Sequence, residues 1–192
     1  MVPLTPLPKV PRFCYTIGMT SYAKIFDVAI ENYGLITTAM ARRMGIAPGS
    51  LVDLAYRGRL TRIGQGVNQL VQYSPGERDP YAQAVALVGE GAYLYGESVV
   101  AMLGLAPTDP DKIYVATTSR VRKSLGDGIK VCRGMQGYKP VPIEGIPSQE
   151  VADAILSARA TMPGERLKVA CAEALRIGKI TEADKRGIEN EI

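Results

Sequence analysis

The stretch TTAMARRMGIAPGSLVDLAYRGRLTRIGQGVNQLV, Thr37 to Val71, packs two short apolar patterns, a Pro-Gly break and five arginines into one unit. A short helix fits Thr37 or Thr38 through Met44 and stops at Gly45. The next begins near Pro48, a favoured first-turn residue, and runs through Leu51, Leu54 and Ala55 on its inner face to a stop near Gly58. Two apolar runs follow, Leu60 to Ile63 and Val67 to Val71, and the Gly-Gln-Gly between them predicts a β-hairpin. Upstream, Tyr22, Ile25, Phe26, Ala29, Ile30 and Tyr33 recur at helical spacing from Ser21, with Thr20 or Ser21 as N-cap and Gly34 as the stop.

Three helices and a hairpin in about fifty residues have the composition of a winged helix-turn-helix. The expected class is therefore α+β, an N-terminal winged helix-turn-helix followed by a mixed helix and small-sheet domain. QYSPGERDP, residues 72–80, is polar and carries two prolines, and reads as a linker. The expected boundaries are a flexible lead over 1–18, the winged unit over 19–73, a linker over 74–80 and a second domain over 81–192. In that second domain Tyr81 to Gly89 and Ser98 to Gly104 read as helices. KIYVATT and GIKVCRG read as strands flanking the basic turn SRVRKSLGD, and three helical patterns follow to the end of the chain. The last opens with a Thr-x-x-Asp cap.

Composition narrows the function classes. Across 192 residues, 46% are apolar and 22% charged, and no apolar run approaches the roughly 20 residues of a membrane span. Histidine is absent, which removes imidazole base catalysis and His-ligated metals together. Three scattered cysteines, Cys14, Cys132 and Cys171, form neither a disulfide framework nor a zinc site, and fit a reduced cytoplasmic compartment. The expectation is a protein without enzymatic activity, cofactor or metal. The opening MVPLTPLPKVPRFCYTIG has four prolines and no continuous apolar core, so it is not a secretory signal. Met19 directly precedes a good helix start, which makes the first eighteen residues a flexible lead or the product of an upstream start codon.

Charge is spread unevenly. From Thr37 to Tyr73 five arginines oppose Asp53 alone, and from Lys112 to Lys139 seven basic residues oppose Asp127 alone. Between them, Glu77 to Asp111 holds six carboxylates against Arg78. Two basic segments of this kind fit a polyanionic partner. In a helix-turn-helix the second helix of the pair enters the major groove, so Ser50, Tyr56 and Arg57 are candidate readers. Arg42 and Arg43, on the preceding helix, would clamp the phosphate backbone, with Arg59 and Arg62 opening the wing and Gln65 at its tip. The competing reading is a solvated basic face, or a protein-docking module without sequence-specific DNA binding. The second patch, Arg120, Arg122, Lys123, Lys130 and Arg133, fits flanking phosphates, RNA or an acidic partner, and equally a charged hairpin turn. Cys132 and Cys171 sit in apolar patterns as core thiols, and Tyr93 and Tyr95 beside Glu97 read as packing groups.

From about Met19 onward the chain resembles the AbiEi-type antitoxins of type IV toxin–antitoxin systems. The resemblance lies in YAKIFDVAIENYGLITTAMARRMGIAPGSLVDLAYRGRLTRIGQGV, then GESVVAMLGLAPTDPDKIYVAT, then GIPSQEVADAI. It implies an N-terminal winged helix that represses its own promoter, and a second domain that counters a nucleotidyltransferase-like toxin without requiring a stable complex. It places the DNA-reading helix at Ser50 and Arg57, with Arg59 and Arg62 leading into the wing. Two positions depart from the family pattern. Asn68 and Gln69 stand where an aromatic and a basic residue are common, which implies a weakened wing. Leu103 stands where histidine is frequent, which implies packing there.

Overall fold

The structure, a computed structural model, describes the backbone of residues 13–192 and the side chains from Ser21 onward. Helix α1 spans Phe13–Ile30, so it begins eight residues before the expected Ser21. The last proline of the lead is Pro11, and one internal glycine, Gly18, costs only about 1 kcal/mol relative to alanine, too little to stop a helix. Thr20 and Ser21 therefore lie inside α1 and do not cap it. Of the expected lead, 13–18 is helical, and 1–12 lies outside the described residues.

After a turn through Gly34 come β1 (Leu35–Thr37), α2 (Thr38–Arg43), α3 (Pro48–Tyr56), β2 (Leu60–Gly64) and β3 (Val67–Leu70). Each boundary has a local cause. The Thr37 hydroxyl accepts from the Met40 amide at 3.1 Å and starts α2, which ends before Gly45. Pro48 opens α3. The three strands form an antiparallel sheet in the order β1-β3-β2, with a bulge between Arg62 and Gly64. Its helix-facing side supplies Ile36, Leu60 and Leu70 to a first core completed by Ile25, Ala29, Ala41, Ile46 and Leu51.

The second half contains α4 (Asp79–Val88), β4 (Tyr93–Leu94), α5 (Glu97–Met102), β5 (Ile113–Thr117), β6 (Ile129–Arg133), β7 (Val141–Ile143) and β8 (Ile146–Ser148). Helices α6 (Val151–Ser157), α7 (Gly164–Arg176) and α8 (Glu182–Glu189) close the chain. The strands form a mixed five-stranded sheet in the order β6-β5-β4-β8-β7. Strands β5 and β6 run parallel, so the basic segment 118–128 is a crossover and not the hairpin turn it resembles in sequence. Thr181 and Asp184 form the reciprocal cap at the start of α8. Leu94, Val99, Val115, Ile155 and Leu167 are fully or almost fully buried in the second core. That core also takes Cys171 and has Leu103 packed against it.

The halves are joined more closely than a linker implies. Helix α4 starts at Asp79, inside the expected 74–80 linker, and the buried Asp79 carboxylate accepts from the Gly76 amide. The Tyr33 hydroxyl donates to the Glu144 carbonyl, and Arg78 pairs with Glu144 at 3.0 Å. The Leu87 side chain fills the space where a Gly64 β-carbon would stand. Strand β1 serves both cores, because successive side chains on a strand point to opposite faces. Ile36 is buried in the first core and Leu35 in the second.

Candidate functional site

Helix α3 is anchored through Leu51, 3% exposed, with Leu54 and Ala55 packed beside it. That leaves an outer face at Gly49, Val52, Asp53 and Tyr56, on the i, i+3, i+4, i+7 spacing. Tyr56 is 93% exposed and Val52 69%, so this face is apolar at its centre. Val52 was missed in the sequence, where a valine two residues from Leu54 passes for core. Its position about 100° round the helical wheel from Leu51, on the side away from Leu54, was the available signal. Ser50 is half-buried at the helix start. Arg57 caps the C-terminal end of α3 and is exposed, so it projects from the end of the helix and not from its first turn.

The other arginines are each held differently. Arg59 lies over the Tyr22 ring of α1 at 5.6 Å from the centroid, a cation–π contact that fixes the stem and leaves the residue exposed. Arg62 donates from Nε to the Gly64 carbonyl at 3.3 Å. Arg43 pairs with Glu90 at the end of α4, while Arg42 stays exposed without an ion-pair partner among the described residues. Gln65 is exposed in the β2–β3 turn, which is tied to the start of α2 by the Thr38 amide donating to the Gly66 carbonyl at 2.9 Å. Asn68 and Gln69 lie beyond the tip, in the second strand of the expected hairpin. They sit in β3, the central strand, where Asn68 is 8% exposed on the face of Ile36 and Leu70. Gln69 faces the other way, its Nε2 buried without a hydrogen-bond partner. Their effect therefore falls on packing within the sheet.

The two basic segments, distant in sequence, meet at one place. A cleft of about 550 Å³ between the halves is lined by Arg42, Arg43 and Gln65 from the first and Lys123 from the second. The rest of the second patch is dispersed. Arg120 and Arg122 are exposed on the 118–128 crossover, and Lys130 and Arg133 lie on the edge strand β6. Three residues apart on a strand, those last two point to opposite faces, so they form no single surface. Lys130 instead lies beside Tyr114 and near Cys132.

Burial raises the Cys132 thiol above its ordinary range, against a smaller opposing effect of Lys130, and raises Cys171 as well. Both therefore sit as protonated thiols rather than activated nucleophiles. The Cys14 side chain lies outside the described residues. Tyr93 is buried and stacks on Tyr138 at 5.1 Å between centroids, and Tyr138 donates to Asp153 at 3.0 Å. Glu97 is buried and accepts from Thr108. Among the described residues no group of three or more Cys, Asp or Glu is placed to hold a metal ion. No described helix is long and apolar enough to cross a membrane.

Comparison with known proteins adds three findings. No curated protein matches the chain. Among solved structures, the RV2827C protein from Mycobacterium tuberculosis is similar, with 16% sequence identity over 90% of this chain and 81% of that one, and a TM-score of 0.39. A family model described as a transcriptional regulator, AbiEi antitoxin, matches residues 23–71, which run from within α1 to just past β3. Over that stretch the chain is similar to the AbiEi-type antitoxin transcriptional regulators that its sequence resembles.

Proposed function

We propose that residues 19–73 form a winged helix-turn-helix that binds double-stranded promoter DNA and represses its own operon. In this reading the second half acts as the antitoxin against a nucleotidyltransferase-like toxin, without enzymatic activity of its own and in the cytoplasm. The observation that carries the proposal is the element order α1-β1-α2-α3-β2-β3 within the matched stretch, with β1 closing the sheet beside β3 and the outer face of α3 left uncovered. A helix presented in this way enters the major groove with its outer side chains toward the base edges. Val52 supplies an apolar contact of the kind a thymine methyl accepts, Tyr56 a contact to sugar or base, and Arg57 a bidentate donor for guanine or phosphate. Arg42, Arg59 and Arg62 neutralise phosphates and release counterions.

A second reading has support in the same face. Val52 and Tyr56 are apolar enough to dock a protein, and such an interface would tolerate salt. Titration of the purified chain with its upstream DNA and with random duplex, across salt concentrations, separates the two. The DNA reading expects Arg42→Ala to weaken both duplexes alike and to shallow the salt slope by about 0.9. It expects Arg57→Ala to narrow the gap between the duplexes. Binding that neither variant changes would remove α3 from the DNA interface.

A further inference from the structure

The cleft between the halves has the makings of a small-molecule site. Its volume, about 550 Å³, lies within the range of pockets that hold drug-sized ligands. Leu35, Met40, Val67, Ala82, Val85 and Ile146 contribute an apolar lining drawn from both halves. The charged side chains at the lining are three cations, Arg42, Arg43 and Lys123, and one carboxylate, Glu90. Glu90 is taken up by Arg43, which leaves Arg42 and Lys123 without an ion-pair partner among the described residues. Lys123 is not swung out into solvent. It is half-buried, and its ammonium lies within 3.8 Å of where a β-carbon on Gly89 would stand. A half-buried lysine without an ion-pair partner among the described residues, beside an apolar cleft, leaves a positive charge that an anion can pair.

We propose that this cleft binds a small amphipathic anion, a carboxylate carried on a hydrocarbon body. Lys123 and Arg42 take the carboxylate, and Leu35, Met40, Val85 and Ile146 bury the hydrocarbon. A neutral lipid would leave the two cations unpaired. A cation would meet a lining with a net positive charge, and a fully polar anion would leave the apolar lining wet. The site is independent of whether α3 reads DNA, because none of its contacts comes from that helix.

The test is displacement of 1-anilinonaphthalene-8-sulfonate from the full chain by decanoate, with decanol as the neutral counterpart. Saturable 1:1 displacement by decanoate is expected, with decanol roughly tenfold weaker for want of the charge-assisted bonds. Lys123→Gln combined with Arg42→Gln should erase that preference while decanol binding persists. Ala86→Leu, which narrows the cleft, should weaken both ligands, and Ala39→Leu does the same from the opposite wall if the first variant fails to fold. Equal binding of decanol and decanoate, unsaturable dye uptake, or charge variants that keep the wild-type preference would each overturn the proposal. Arg57→Ala should leave decanoate binding unchanged even where it disturbs DNA binding, so the two readings fail separately.

Discussion

Glu90→Gln should tighten DNA binding, and the size of the effect follows from the geometry of one ion pair. Arg43 stands on α2 among the expected phosphate contacts, yet its guanidinium is engaged by Glu90 across the cleft. The two side chains are 63% and 69% exposed, and pairs of this kind are worth about 0–1 kcal/mol. Releasing Arg43 can therefore add at most about 1 kcal/mol to DNA binding, which is roughly fivefold in Kd. One more neutralised phosphate steepens the slope of log K against log salt by up to about 0.9. Folding stability should fall by less than about 1 kcal/mol, since only a surface pair is lost. The assay is fluorescence anisotropy of the labelled promoter duplex between low and moderate salt, for the wild type, Glu90→Gln, Arg43→Ala and the double variant. If competition for Arg43 is the cause, the double variant binds as Arg43→Ala alone does. An unchanged slope in Glu90→Gln, or a gain that survives loss of Arg43, would refute the reasoning.

Gly34→Ala should destabilise the chain by about 2–4 kcal/mol, read as a lower urea midpoint at constant m-value. Gly34 sits at φ +70°, and a β-carbon there would lie 2.4 Å from Tyr73 Cγ, so left-handed strain and overpacking act together. A change below 0.5 kcal/mol would mean that Tyr73 is free to move away. The Tyr73 hydroxyl is pushed up to about 12 by burial and then by the neighbouring Asp79 carboxylate; that of Tyr138 reaches about 12 through burial and its hydrogen bond to Asp153. Both values exceed the unfolded one near 10, so this stabilisation is complete below about pH 10 and is lost as the pH climbs toward 12. Tyrosinate absorbance at 295 nm should show these two groups ionising together with loss of the circular dichroism signal. Their titration near pH 10 in an intact fold would contradict the assignment.

The parts of the fold legible in the sequence are those with local causes. Thr37, Gly45, Pro48 and the Gly-Gln-Gly turn mark α2, α3 and the hairpin because caps and turns act over three or four residues. The second sheet was only half visible. Strands β4, β7 and β8 are two or three residues long, too short to show alternation, and the β5–β6 pairing is parallel, which no turn residue announces. The candidate site divides in the same way. The arginines were visible as charge, but the engagement of Arg43 by Glu90 and the arrival of Lys123 beside it depend on how two units dock. Asn68 and Gln69 lie in the second strand of the hairpin, as the sequence reads, but that this strand is the middle one of three depends on its pairing with the distant β1.

Strand β1 sets the terms on which this protein can be divided. Leu35 and Ile36 are neighbours in the chain yet belong to separate cores, so the seam between the halves passes between two consecutive side chains. A fragment ending after Tyr73 would carry Leu35, Tyr33 and the packed side of Ile63 onto its surface as an apolar scar. The first half is thus not a cassette that can be lifted out and grafted onto another effector. Replacing one half alone would require a partner whose own α4 offers the same seat to Leu35.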